Sequence, residues 1–70
     1  PVGDLTVDSG KLVRWTVAAG DRVKKGQTVA EIETDKAVVE IEAPADGVLG
    51  PTLRQAGDVV KMGETIGSVK

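Results

Sequence analysis

The chain of 70 residues and 7.2 kDa has room for one small domain with a thin core. It carries a net charge of −2, contains neither Cys nor His, and has Trp15 as its only aromatic side chain. Disulfides, thiolate nucleophiles, Cys- or His-ligated zinc and His-based triads are thereby excluded, and a negative chain with a single aromatic side chain is a poor nucleic-acid binder.

Twelve valines among 28 hydrophobic residues favour strands over helices. Taken in chain order, strands are expected at about 11–17, 21–23, 29–34, 37–42, 47–53, 58–60 and 65–69, with the second and sixth short. No stretch sustains a 3.6-residue apolar period, so no helix is expected. No apolar run has the length of a membrane span and nothing resembles a signal peptide, which leads to the expectation of a soluble domain. Because the chain starts at Pro1 without Met, residues 1–70 are read as a single domain excised from a longer protein, or as a processed chain.

A displacement of 37 positions superimposes residues 9–33 on 46–70 with nine identities in 25 positions. Gly10-x-Leu12 repeats as Gly47-x-Leu49, and the phrase Ala-Gly-Asp-x-Val-Lys-x-Gly-x-Thr occurs from Ala19 to Thr28 and again from Ala56 to Thr65. Gly20-Asp21 and Gly57-Asp58 are turn chemistry: Gly can take positive φ and Asp can bond nearby amides. Gly26 and Gly63 close the next short segments in the same way. Many short strands punctuated by Gly imply an all-β sandwich or flattened barrel. Two similar halves imply quasi-two-fold symmetry, each half supplying one sheet.

Between the halves runs Glu31 to Glu42. A two-residue loop at Asp35-Lys36 would set Thr34 against Ala37, Ile32 against Val39 and Ala30 against Ile41 on one face, with Glu31/Glu40 and Glu33/Val38 on the other. Lys36 then stands at the hairpin tip, where folding alone has no use for it, and the loop lacks the Asn-Gly or Asp-Gly of preferred two-residue turns. The repeat carries Lys36 beyond both chain ends, so the termini should meet at the opposite pole.

Residues 31–42 hold five carboxylates and one amine, a local charge of −4 on a remainder of +2. Alternating glutamates such as Glu31, Glu40 and Glu42 are what a solvated strand face shows; Glu33 and Asp35, beside the tip, are equally suited to recognition. Glycosidase chemistry lacks a cleft to raise a carboxyl pKa, and the acids do not line an EF-hand-type calcium loop. An exposed lysine is also a poor Schiff-base nucleophile, which needs burial. It is, however, well placed to be acylated by another enzyme. Lys11, Lys24, Lys25, Lys61 and Lys70 read as ordinary surface lysines.

Glu33-Thr34-Asp35-Lys36-Ala37, preceded by Val29-Ala30-Glu31-Ile32 and followed by Val38-Val39-Glu40-Ile41, closely resembles the lipoyl-attachment segment of lipoyl domains. These are carrier domains of 2-oxo acid dehydrogenase complexes, usually found in the dihydrolipoamide acyltransferase component. Trp15 with Val17, Gly20 to Val23, Gly26, Ala43 to Gly47, Gly57 to Val60 and Gly63 also match the family pattern. The resemblance implies a flattened β-barrel of two four-stranded antiparallel sheets, with no catalytic or metal-binding residue of its own and lipoate in amide linkage on Lys36. Glu33, Thr34, Asp35 and Ala37 would form the recognition segment. The implied partners are a thiamine-dependent 2-oxo acid decarboxylase, the acyltransferase core, dihydrolipoamide dehydrogenase, and the lipoate ligase or lipoyl transferase that attaches the group. A monomeric domain in a bacterial cytoplasm or mitochondrial matrix is likewise implied. The redox sulfur then belongs to the cofactor, which accounts for the missing Cys.

Biotin carriers share the fold, but their lysine sits between two methionines, whereas here the neighbours are Asp35 and Ala37 and the only Met is Met62. Glycine-cleavage carriers are longer. An unmodified barrel used for assembly is the third reading. The segment from Gly3 to Gly10 departs from the family's Glu-Gly-rich loop, and the first strand, usually begun before a Pro like Pro1, is expected to be clipped.

Overall fold

In the computed structural model, which describes residues 3–70, the Val- and Ile-rich segments form eight strands. They are β1 (Gly3–Val7), β2 (Gly10–Trp15), β3 (Arg22–Val23), β4 (Thr28–Glu33), β5 (Val38–Glu42), β6 (Gly47–Val48), β7 (Val59–Val60) and β8 (Glu64–Val69). Among the described residues there is no helix, and so none long and apolar enough to cross a membrane. One antiparallel sheet has the order β5-β4-β2-β7. The other layer consists of the pairs β1-β8 and β3-β6, joined by a bridge from Leu49 to Val69 and by reciprocal backbone bonds between Val48 and Lys70 of 2.8 and 3.0 Å.

The second layer is thus a four-stranded sheet, β1-β8-β6-β3, interrupted beyond Leu49. The continuous strand expected over 47–53 breaks there because Pro51 has no N–H to donate. Gly50 N–H and Leu53 N–H still reach Ser68 and Ile66 carbonyls at 2.8 Å. The repeat maps one layer onto the other: β2 on β6, β3 on β7, β4 on β8, with β5 matched by β1.

Two expectations are corrected. The halves do not each supply one sheet, because the Ala-Gly-Asp turns carry the short strands across to the opposite layer. Gly20 N–H donates to Leu49 (2.7 Å) and Leu49 N–H to Asp21 (2.9 Å), while Gly57 N–H donates to Leu12 (2.7 Å) and Leu12 N–H to Asp58 (2.8 Å). Each half is stitched to the other's Gly-x-Leu. Residues 3–10 are also not a loop: Leu5 and Val7 alternate inward and β1 pairs with β8, leaving Asp8-Ser9 as the only connection to β2. What was expected of Pro1 lies outside the described residues.

The core repeats as well. Leu12 and Leu49, Val23 and Val60, Val29 and Ile66, and Ile32 and Val69 are all buried, as four pairs related by the 37-residue displacement. Each such side chain, fully buried, contributes about 1.5–3 kcal/mol relative to exposure. Trp15 lies half-buried against this core and donates its Nε1–H to the Arg54 carbonyl at 2.9 Å. Gly3 stands opposite Val69, and β1 runs from that pole to the Asp8-Ser9 connection. Ser9 lines a groove together with Glu33, Thr34 and Asp35. The ends of the described segment, Gly3 and Lys70, therefore lie together at the pole away from Lys36, as the repeat led one to expect of the termini, with Pro1 and Val2 outside the described residues.

Candidate functional site

The β4–β5 hairpin has the expected register: Ala30 faces Ile41, Glu31 faces Glu40, Ile32 faces Val39 and Glu33 faces Val38. Thr34 N–H closes the loop on the Ala37 carbonyl at 2.8 Å. The Thr34 hydroxyl donates to that carbonyl (2.9 Å) and accepts from the Lys36 and Ala37 amides (3.3 and 3.2 Å). Among the described residues none other than Gly has positive φ, so Asp35 and Lys36 do not form a primed turn. The Thr34 side chain does locally what Asn-Gly would have done by backbone conformation.

Asp35, Lys36 and Ala37 are exposed, and no salt bridge engages Lys36 among the described residues. An acyl group in amide linkage requires an amine clear of the domain body, and this geometry meets that requirement. The apolar row behind the tip is only partly enclosed: Ile32 and Ala30 are buried, Ile41 is half-buried, and Val39 on the edge strand is 46% exposed.

Glu31 differs from the solvated-face reading. Arg14 Nε and Nη2 donate to its two carboxylate oxygens at 3.0 and 3.3 Å, which offsets the like charge of Glu40 directly opposite. Glu33, Glu40 and Glu42 are exposed. The sequence reading passed over the groove of about 480 Å³ beside the tip, where Ser9, Gly10, Lys11, Val59 and Val60 meet Glu33, Thr34 and Asp35. Lys11, read as an ordinary surface lysine, stands between Glu33 and Val59 in the strand register. The alternation of β2 with β4 was the available signal. Among the described residues no group of three or more carboxylates gathers to hold a metal ion.

A two-layer barrel with symmetric halves and a single lysine raised on a tight hairpin is the architecture of a covalent carrier domain. The model of the biotin/lipoyl family, described as "Biotin-requiring enzyme", matches residues 2–69. The chain is 39% identical over 64 residues to the dihydrolipoyllysine-residue succinyltransferase component of the 2-oxoglutarate dehydrogenase complex of Bacillus subtilis, covering 91% of this chain and 15% of that protein. It is 46% identical over 57 residues to the acetyltransferase component of the pyruvate dehydrogenase complex of Rhizobium meliloti, covering 81% and 13%. Of solved structures, the lipoyl domain of the Azotobacter vinelandii 2-oxoglutarate dehydrogenase complex superposes with a TM-score of 0.77 at 36% identity, covering 91% of this chain and 81% of that one. The urea carboxylase of Kluyveromyces lactis gives 0.92 at 25% identity, covering all of this chain and 6% of that enzyme. The chain therefore belongs to the biotin/lipoyl attachment family, as a carrier domain of lipoyl type. It spans less than a fifth of the curated relatives named above.

Proposed function

We propose that Lys36 carries lipoate in amide linkage and that the domain shuttles acyl groups and electrons among the active sites of a 2-oxo acid dehydrogenase complex. The observation that carries this reading is the exposed lysine on a Thr34-braced tip between Asp35 and Ala37, in a chain whose relatives are named dihydrolipoyllysine-residue components. When bound, lipoate supplies a dithiolane able to take up an acyl group together with two electrons. The chain's own residues do the rest. Lys36 extends the arm from the body, Thr34 fixes the direction in which it leaves, and Glu33 and Asp35 set an acidic mark on the N-terminal side of Lys36 for partner enzymes to read, with Ala37 leaving room for them. Tethering raises the arm's local concentration at each site it can reach.

The partners proposed on this reading are the thiamine-dependent decarboxylase, the acyltransferase core, dihydrolipoamide dehydrogenase and the enzyme that attaches lipoate. A bacterial cytoplasm or mitochondrial matrix follows from the same assignment, as does a longer parent chain. Intact-mass spectrometry after co-expression with a lipoate ligase should show one lipoyl increment, absent from Lys36→Arg. An unmodified wild-type domain under those conditions refutes the reading. The family description as biotin-requiring, with the superposition of this chain on a small part of a urea carboxylase, keeps biotin as the second reading, and avidin blotting of the same material separates the two.

A further inference from the structure

The internal repeat supplies a control within the molecule. The turn after β3 and the turn after β7 are built alike. Val23 and Val60 are buried, and Gly26 and Gly63 have φ of 87° and 79°. Gln27 and Glu64 cap the Lys24 and Lys61 amides through Oε1, both at 3.0 Å, and the return bonds from their own N–H groups are 2.9 and 3.0 Å. Folding therefore makes closely similar demands on both turns, which differ in that Asp46 Oδ1 accepts from the Lys25 amide at 2.8 Å and Glu64 pairs with Arg54; neither contact involves the Arg22, Lys25, Val59 or Met62 side chain.

Their exposed positions have nevertheless diverged. Where the first turn has Arg22 and Lys25, the second has Val59 and Met62, which are 75% and 77% exposed. A single exposed apolar side chain means little, but two occur here in one turn whose twin shows that cations suit the fold. The second turn is also the one at the Lys36 pole. Val59 lines the groove with Glu33, Thr34 and Asp35, and Gly63 N–H bonds to the Val7 carbonyl (2.8 Å), next to the Asp8-Ser9 connection. Apolar contacts, with Met prominent, and a charged border are what a protein-binding surface requires.

We propose that Val59 and Met62 form the apolar half of a docking surface whose acidic half is Glu33 and Asp35, occupied by the decarboxylase that loads the arm through an apolar recess bordered by Lys or Arg at its active-site entrance. The proposal rests on Lys36 as the arm's anchor. The first turn indicates which substitutions the fold accepts: Val59→Arg with Met62→Lys reproduces its residues, and Val59→Thr with Met62→Gln removes apolarity without adding charge. The lipoylated domain and both double variants are presented as substrates to purified pyruvate and 2-oxoglutarate decarboxylase components, beside the mirror variant Arg22→Val with Lys25→Met.

The proposal expects KM for the domain to rise about tenfold in both Val59/Met62 variants with kcat retained, and to stay within about twofold in the mirror variant. It is overturned if KM is unchanged, if the mirror variant is impaired equally, or if neither decarboxylase acylates the lipoylated wild type. A wild-type domain that sediments as a dimer, and as a monomer once Val59 and Met62 are replaced, overturns it in favour of a second copy as occupant. If mass spectrometry shows no lipoylation, the arm reading fails separately. The surface is then judged by amide line broadening of Val59 and Met62 in the unmodified domain on adding each decarboxylase: broadening supports it, and none overturns it.

Discussion

Thr34 bears more of the hairpin's geometry than its neighbours, with one hydroxyl serving three backbone groups of the loop. Thr34→Val keeps the shape and loses those bonds, so it should lower unfolding free energy by about 1 kcal/mol in urea titration, with Thr34→Ser restoring most of the loss. Asp35→Asn should leave stability unchanged, since the side chain is exposed, yet slow acylation by the decarboxylase; an unchanged rate would make Asp35 an ordinary surface residue. At this scale the sequence was readable where side chains alternate. Lys36 at the tip, the glutamates facing outward and Ile32 facing inward all follow from period-two pairing. The Arg14–Glu31 ion pair did not follow, because the register of β2 against β4 shifts between Leu12 and Arg14, and a bulge of that kind leaves no mark in alternation alone.

Among elements, the repeated Gly-x-Leu shows how closely the layers are built. A Cβ on Gly10 would meet the Glu33 carbonyl oxygen and Ile32 Cγ2 at 2.6 Å, and one on Gly47 would meet the Lys70 carbonyl oxygen and Val69 Cγ1, the same contacts displaced by 37 residues. Gly10→Ala and Gly47→Ala should therefore each destabilise by about 1–3 kcal/mol through overpacking, and by similar amounts in thermal unfolding. Markedly unequal losses would show that the two contacts are not equivalent. Gly20 has open space around a Cβ and φ of 94°, so its requirement is conformational, as turn chemistry had indicated. The repeat thus located turns and core pairs well. It did not reveal which layer each short strand joins, because that depends on backbone partners from the other half. Nor did it find β1, whose Gly3 and Asp4, like the Asp8-Ser9 that follows it, look like loop residues until β8 gives the strand a partner.

For the molecule as a whole, symmetry of the layers and asymmetry of the charge separate what folding asks from what a carrier asks. The four buried pairs and the twin turns belong to the scaffold; the −4 of residues 31–42 and the raised lysine occur once. The pole where Gly3 meets Val69 is the backbone equivalent of the lysine pole, since Val69 faces Gly3 as Ile32 faces Val39. A circular permutant that joins Lys70 to Gly3 through a copy of residues 34–38, opened after the exposed Pro44 in the connection between β5 and β6, should then fold with a hairpin at each end. Intact mass after co-expression with a lipoate ligase should show two lipoyl increments, one of which survives Lys36→Arg. A single increment would mean that the attaching enzyme reads side chains found only around the natural tip. Arm number on this scaffold is then a property of how the chain is threaded, since the paired layers provide a seat for a loop at both poles.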